Sequence, residues 1–132
     1  MSRYGLQEET KGTQVVFLDS IDFLTGFESH IHALRAIRAF AEKHYVAVVI
    51  TVEIFKRASQ SRADKHPRYT DLYPELIDYC AKVLLLYRDE YYNLNTNKKG
   101  VLEIGCATKN TSQATWVDVP CNFSKGSIMP MR

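Results

Sequence analysis

An α/β fold on parallel strands is predicted by three features of the sequence. Three apolar runs, 15–18, 45–52 and 83–87, are rich in branched and aromatic residues and too short to be buried helices. Their apolarity is continuous rather than alternating, which suits parallel strands covered by helices on both faces. An amphipathic stretch, 31–43, separates the first two runs and gives the strand–helix–strand order of a βαβ unit. With 132 residues, 45% hydrophobic and 24% charged, the chain has the size and composition of one globular domain.

Taken in order, residues 1–13 are polar, with Gly5, Gly12 and Thr13, and predict a flexible lead-in to a domain over 14–120. The first strand ends in acids, Gln14-Val-Val-Phe-Leu-Asp19-Ser-Ile-Asp22. Ligands of open α/β sheets bind outside the carboxyl ends of the strands, which makes Asp19 a candidate site residue. Thr25-Gly-Phe-Glu28 has the spacing of a capping box and predicts the start of the helix. The helix stripe is Ile31, Leu34, Ile37 and Ala41, joined by Ala33 and Phe40. Residues 56–70 have no apolar periodicity and form an exposed connection carrying Lys56, Arg57, Arg62, Lys65 and Arg68 against the single acid Asp64. A short helix over 71–80 would place Pro74 in its first turn. Segments 101–108 and 115–119 predict a C-terminal β-hairpin, followed by an irregular tail over 121–132.

Charge and cysteine usage exclude several classes. A net charge of +2 is too mild to argue for nucleic acid by itself. Cys80, Cys106 and Cys121 have no Cys-x-x-Cys spacing, which argues against a disulfide framework and a zinc site and points to a reducing, cytoplasmic setting. No apolar run approaches the roughly 18 residues of a membrane span, and no membrane partner is expected. His30 and His32 fall on different helix faces, and His44 and His66 have no ligand-spaced neighbours. Tyr87, Tyr91 and Tyr92 are more often packing residues than base-stacking platforms, with Tyr91 and Tyr92 the candidates for exposure.

The heptad Leu86-Tyr-Arg-Asp-Glu-Tyr-Tyr92, the Asn-rich turn and Lys98-Lys-Gly100 that follow it, Asp64-Lys-His-Pro67, Asp71-Leu72 and Lys109-Asn110 together resemble the motor domain of DnaB-type replicative DNA helicases, over about the later half of that domain. The resemblance implies an incomplete RecA-like, P-loop NTPase-type three-layer fold with a mostly parallel sheet, a hexameric ATPase ancestry and a link to DNA replication. It makes Asp19 the counterpart of the Walker B acid that orients water on the nucleotide's Mg²⁺, and thus the one candidate metal residue. It makes Lys109 a partner-facing phosphate contact. The departures are specific. No glycine here is followed by lysine, whereas a phosphate-cradling loop needs Gly-x-x-x-x-Gly-Lys-Ser/Thr. Thr111 stands where the family has its arginine finger, worth about 10³–10⁵ in rate where it operates. Thr51-Val-Glu-Ile-Phe55 leaves Glu53 or Ile54 in place of the family's γ-phosphate-sensing Gln, and Tyr73-Pro-Glu75 replaces Arg-Glu-Ser-Gly in the DNA-facing loop.

The expectation is a non-catalytic DNA- or helicase-binding module, inactive as an ATPase on its own. The alternative is a part of an ATP-dependent replicative helicase that acts only with its missing N-terminal half. No cofactor is expected for the isolated chain, and Mg-ATP enters only through the resemblance. Lys56, Arg57, Arg62, Lys65 and Arg68 are the candidate nucleic-acid contacts, giving weak, non-specific DNA binding. The expected partners are DNA or a helicase subunit, with self-association into a homo-oligomer.

Overall fold

The structure, a computed structural model, describes residues 12, 14–54, 61–72, 74–108, 110 and 113–130. They fall into two compact units, Met1–Glu53 and Ile54–Arg132.

In the first unit, β1 (Val15–Leu18) pairs in parallel with β2 (Ala47–Ile50), in the register Val15 to Ala47 and Leu18 to Ile50. The crossover between them is α1 (His30–His44). Its N-cap is Ser29, four residues later than the Thr25 box predicts, with the Ser29 hydroxyl accepting the His32 N–H at 3.1 Å. A serine hydroxyl satisfies an orphan N–H as well as threonine does, and the intervening residues lie in bends. The helix closes at Tyr45, in the left-handed region at φ 52, with the Val46 N–H donating to Ala41 O. Val16 and Leu18 pack against Ile37 and Phe40, flanked by Leu24, Val46, Val48 and Ile50. Each such buried side chain contributes about 1.5–3 kcal/mol. The opposite row differs from expectation: Val15, Phe17 and Val49 are exposed, so only one face of this sheet is covered among the described residues.

In the second unit a 3₁₀ turn, Tyr69–Asp71, precedes α2 (Pro74–Asp78), β3 (Val83–Tyr87), α3 (Asp89–Tyr92), β4 (Val101–Ala107), β5 (Thr115–Asn122) and β6 (Ser127–Ile128). The helix predicted over 71–80 is thus shorter, with Pro74 at its first position, where a missing N–H is harmless. The sheet order is β3-β4-β5-β6, antiparallel throughout. The expected mostly parallel sheet is therefore corrected: among the described residues only β1 and β2 pair in parallel. A continuous apolar run does not report strand direction. Direction here is set by the polar turn after Tyr87, which returns the chain beside the strand it has left. The β4–β5 hairpin stands as predicted. The tail is more ordered than expected: Cys121 and Asn122 pair with Ile128 and Ser127 around a turn closed by Gly126 at φ 63. No described helix is long and apolar enough to cross a membrane.

Candidate nucleic-acid interface

The two candidate sites lie in different units. In the first, Asp19 follows β1 and is exposed. The ladder continues around it, with Thr51 N–H donating to Leu18 O and Ile21 N–H to Thr51 O. This carries the Thr51 hydroxyl to Asp19, where it donates to Oδ1 at 2.7 Å. The Asp19–Ser20 peptide is cis. Asp22 is held separately, its Oδ1 2.9 Å from His30 Nε2. A Mg²⁺ ion takes near-octahedral oxygens, supplied by one or two carboxylates, waters and nucleotide phosphates. Asp19 and Thr51 provide two oxygens, and no group of three metal-ligating side chains occurs among the described residues.

In the second unit the basic segment is anchored rather than loose. The Arg62 guanidinium forks onto Asp71, Nη1 to Oδ1 and Nη2 to Oδ2 both at 2.8 Å, and Nη2 also donates to His66 O at 2.8 Å. The Arg68 N–H donates to Asp71 Oδ2 at 2.8 Å. Asp71 is buried, with 4% side-chain exposure, and Arg62 retains 19%. The bond from Arg62 holds the Asp71 carboxyl below its ordinary range and outweighs the burial that opposes ionisation. Arg62 is thereby committed to the protein. Of the other predicted cations, Arg68 is exposed and Lys65 half-buried, whereas Lys56 and Arg57 lie outside the described residues. Lys109 and Thr111 also lie outside them, although Asn110 is exposed nearby in sequence.

Around His66 is a polar cluster whose members Asp64, His66, Tyr87 and Lys98 sequence reasoning named without linking them, and whose Glu103 and Trp116 it did not name. His66 Nδ1 lies 2.6 Å from Asp64 Oδ1 and its Nε2 3.1 Å from Glu103 Oε1. Lys98 Nζ donates to the same Glu103 oxygen at 2.9 Å. The imidazole lies over Tyr87, ring centroids 3.8 Å apart, and edge-on to Trp116 at 5.2 Å. Burial opposes charge on His66, but the bonds to Asp64 and Glu103 prevail and raise its pKa. Burial likewise opposes ionisation of Glu103, and Lys98 with His66 reverse that, so its pKa falls. Glu103 Oε2 and the Tyr69 hydroxyl are buried without a partner among the described residues. These groups line a cleft of about 720 Å³ with Arg68 and Trp116. An available signal for Glu103 was its place in β4: it shares the inward row with Gly105 and Ala107, where an acid needs partners.

The turn that follows β3 is held by α3. Tyr87 OH donates to Asp89 Oδ1 at 2.8 Å, and the Thr96 hydroxyl donates to Asp89 Oδ2. These bonds, the Thr96 one first, lower the Asp89 pKa, whereas burial and the Asp89 charge raise that of Tyr87 well above the usual phenol range.

Comparisons find similarity to replicative helicases over part of their length. No family model matches the chain. The replicative DNA helicase DnaB of Pasteurella multocida is 38% identical over 72 residues, which are 53% of this chain and 15% of that one. DnaB of Buchnera aphidicola is 33% identical over 72 residues, 53% of this chain and 16% of that one. The chain thus spans less than one fifth of the curated relatives that it matches. Among solved structures, one described as an ATPase domain superposes with a TM-score of 0.83 at 20% identity, over 98% of this chain and 50% of that one. A DnaB-like replicative helicase, described with its interactions with primase, superposes with a TM-score of 0.72 at 20% identity, over 89% of this chain and 30% of that one. The resemblance read from the heptad and its companion motifs stands, and the α/β fold is shared with part of the ATPase structures on which the chain superposes.

Proposed function

We propose that this chain, similar in part to DnaB-type replicative helicases, is a non-catalytic module that binds DNA or a helicase subunit in the cytoplasm. The observation that carries the reading is the anchored basic segment. The Arg62–Asp71 fork closes residues 62–71 on themselves, the His66 contacts with Glu103, Tyr87 and Trp116 hold that loop to the strands, and Arg68 is left exposed with Lys65 half-buried. A positioned pair of cations tracks a phosphate backbone at lower entropic cost than a loose loop does. The lack of ATPase activity rests on the sequence: no Gly-Lys pair for a phosphate loop, and Thr111 at the position of the arginine finger. Asp19, with the Thr51 hydroxyl, then serves as a strand-end cap rather than as a metal ligand.

With Arg62 committed to Asp71, the candidate phosphate contacts reduce to four cations, Lys56, Arg57, Lys65 and Arg68. Counterion release then gives a log–log salt slope of about −2.8 on single strands, or a loss of about 50-fold between ~50 and ~200 mM salt. Lys65→Ala/Arg68→Ala is expected to halve the slope to about −1.4, a loss of about 7-fold over the same range. Fluorescence anisotropy of a labelled oligonucleotide measures both, and identical slopes for the two proteins would remove the segment from the interface.

A second reading is favoured by the superposition on half of a solved ATPase domain. In it the chain works only with the remainder of an ATPase fold, and Asp19 and Lys109 regain their nucleotide roles there. Nucleotide binding that appears on addition of that remainder distinguishes the two.

A further inference from the structure

Of the three tyrosines of the family-like heptad, Tyr87 is buried against His66, whereas Tyr91 and Tyr92 are exposed, and their arrangement is specific. Tyr87 and Tyr92 are stacked in parallel, centroids 5.6 Å apart with 6° between planes. Tyr91 meets Tyr92 edge-on at 5.0 Å and 80°. Tyr91 is 75% exposed and Tyr92 49%, large apolar area for side chains that could have turned inward. The turn that presents them is held, because Asp89 at its start accepts bonds from both Tyr87 and Thr96. Beneath the rings is a depression of about 190 Å³ bordered by Lys65, Pro67, Leu86, Arg88, Tyr91 and Tyr92. Its size suits one planar ring system rather than a helix or a strand. Arg88 is fixed at its rim, the guanidinium 3.7 Å from the Phe123 ring centroid and 2.7 Å from Glu90. Glu90 offsets the charge of Arg88, so attraction here comes from ring faces and not from a net field.

We propose that Tyr91 and Tyr92 form a stacking platform for a nucleobase of single-stranded DNA, continuous through Lys65 with the basic segment. This deepens the DNA-binding reading above and rests on it. Lys65 and Arg68 position the backbone while the platform takes an unstacked base, the division of labour by which single-strand binders combine cations with aromatic faces. A duplex keeps its bases stacked and gains nothing from the platform, so the protein is expected to prefer single strands. Because every base has a π-face, the preference is independent of sequence.

The test is anisotropy of a labelled single strand and of the matching blunt duplex, at two salt concentrations, with wild type, Tyr91→Ala, Tyr91→Phe and Lys65→Ala/Arg68→Ala. Tyr91→Ala is expected to weaken single-strand binding at least about 5-fold, the low end of one base–aromatic stack, while leaving the salt slope and duplex affinity unchanged. Tyr91→Phe retains the ring and should stay within about 2-fold of wild type. Tyr91 is exposed, so its truncation is expected to leave the fold intact, and an unchanged urea midpoint for Tyr91→Ala verifies this. Equal single-strand affinity for wild type and Tyr91→Ala overturns the platform even if the basic segment holds. A Lys65→Ala/Arg68→Ala slope equal to wild type, with Tyr91→Ala still weakened, refutes the segment and keeps the platform. Absence of any single-strand binding refutes both. Displacement of the strand by free ATP at matched base concentration, lost in Tyr91→Ala, assigns the platform to a mononucleotide and overturns the proposal.

Discussion

Replacing Arg62 by alanine removes the guanidinium fork and leaves the Asp71 carboxylate, at 4% exposure, with the Arg68 N–H as its donor among the described residues. Breaking a buried ion pair by deleting one partner costs about 3–5 kcal/mol, because the other charge stays buried and uncompensated. Arg62 keeps 19% exposure, so water can reach the vacated space, and the lower end, about 3 kcal/mol, applies. The Nη2 bond to His66 O is lost in the same step, releasing residues 62–66 from their anchor. Urea unfolding followed by circular dichroism reads the effect. With a slope of about 2 kcal/mol per molar, the midpoint falls by about 1.5 M. Arg62→Ala/Asp71→Leu removes the stranded charge as well and should recover part of the loss, though not all, because the Arg68 N–H then lacks its acceptor. A midpoint within about 0.3 M of wild type for Arg62→Ala would refute the reasoning. Arg62 would then be a surface cation open to DNA, and the segment would not be anchored as described.

Two further outcomes follow from the same unit. His66 has a raised folded pKa, so its contribution to stability is complete below the ordinary imidazole value of 6.5 and is lost as pH rises through the folded value. Asp64, Asp71, Asp89 and Glu103 have lowered values, so theirs is present above the ordinary carboxyl range and lost as pH falls through the folded values. Urea midpoints across pH should therefore fall on both sides, and His66→Ala should abolish the fall just above neutral pH and weaken the acid limb, because Asp64 and Glu103 lose a partner that lowers their values; a fall just above neutral pH that persists in His66→Ala contradicts the assignment. At Gly105 a Cβ would stand 2.9 Å from the Trp116 ring, a rigid neighbour. Gly105→Ala should cost about 1–3 kcal/mol and displace Trp116, read as lower stability with a shifted fluorescence maximum; unchanged emission would contradict this packing.

Much of the fold was legible, for identifiable reasons. The Ile31, Leu34, Ile37 and Phe40 stripe reports a helix because its period matches 3.6 residues, and the β1–α1–β2 order fixes a parallel pair. The direction of Val83–Tyr87 was not legible, since Val-Leu-Leu-Leu-Tyr serves a buried strand in either orientation and the antiparallel pairing depends on the turn after it. The exposure of Phe17, Leu84 and Leu86 was equally hidden, because continuous apolarity predicts cover on both faces. At the candidate interface, composition located the basic segment but could not separate its members. Arg62 and Arg68 look alike in sequence, and only the burial of Asp71 shows that one is structural and the other exposed. The His66–Glu103–Lys98 cluster joins residues 37 apart between His66 and Glu103, a separation that no local spacing rule reaches. The tyrosine platform was visible as residue types, and its geometry required the turn held by Asp89.

The central claim, a helicase-like chain that binds DNA without acting on ATP, is tested most directly by one titration. Single-stranded DNA is titrated with the protein at two salt concentrations, with and without Mg-ATP. The account predicts a slope of about −2.8 that Mg-ATP leaves unchanged, with no phosphate released. Binding that appears only with Mg-ATP, or phosphate release stimulated by the strand, would contradict it.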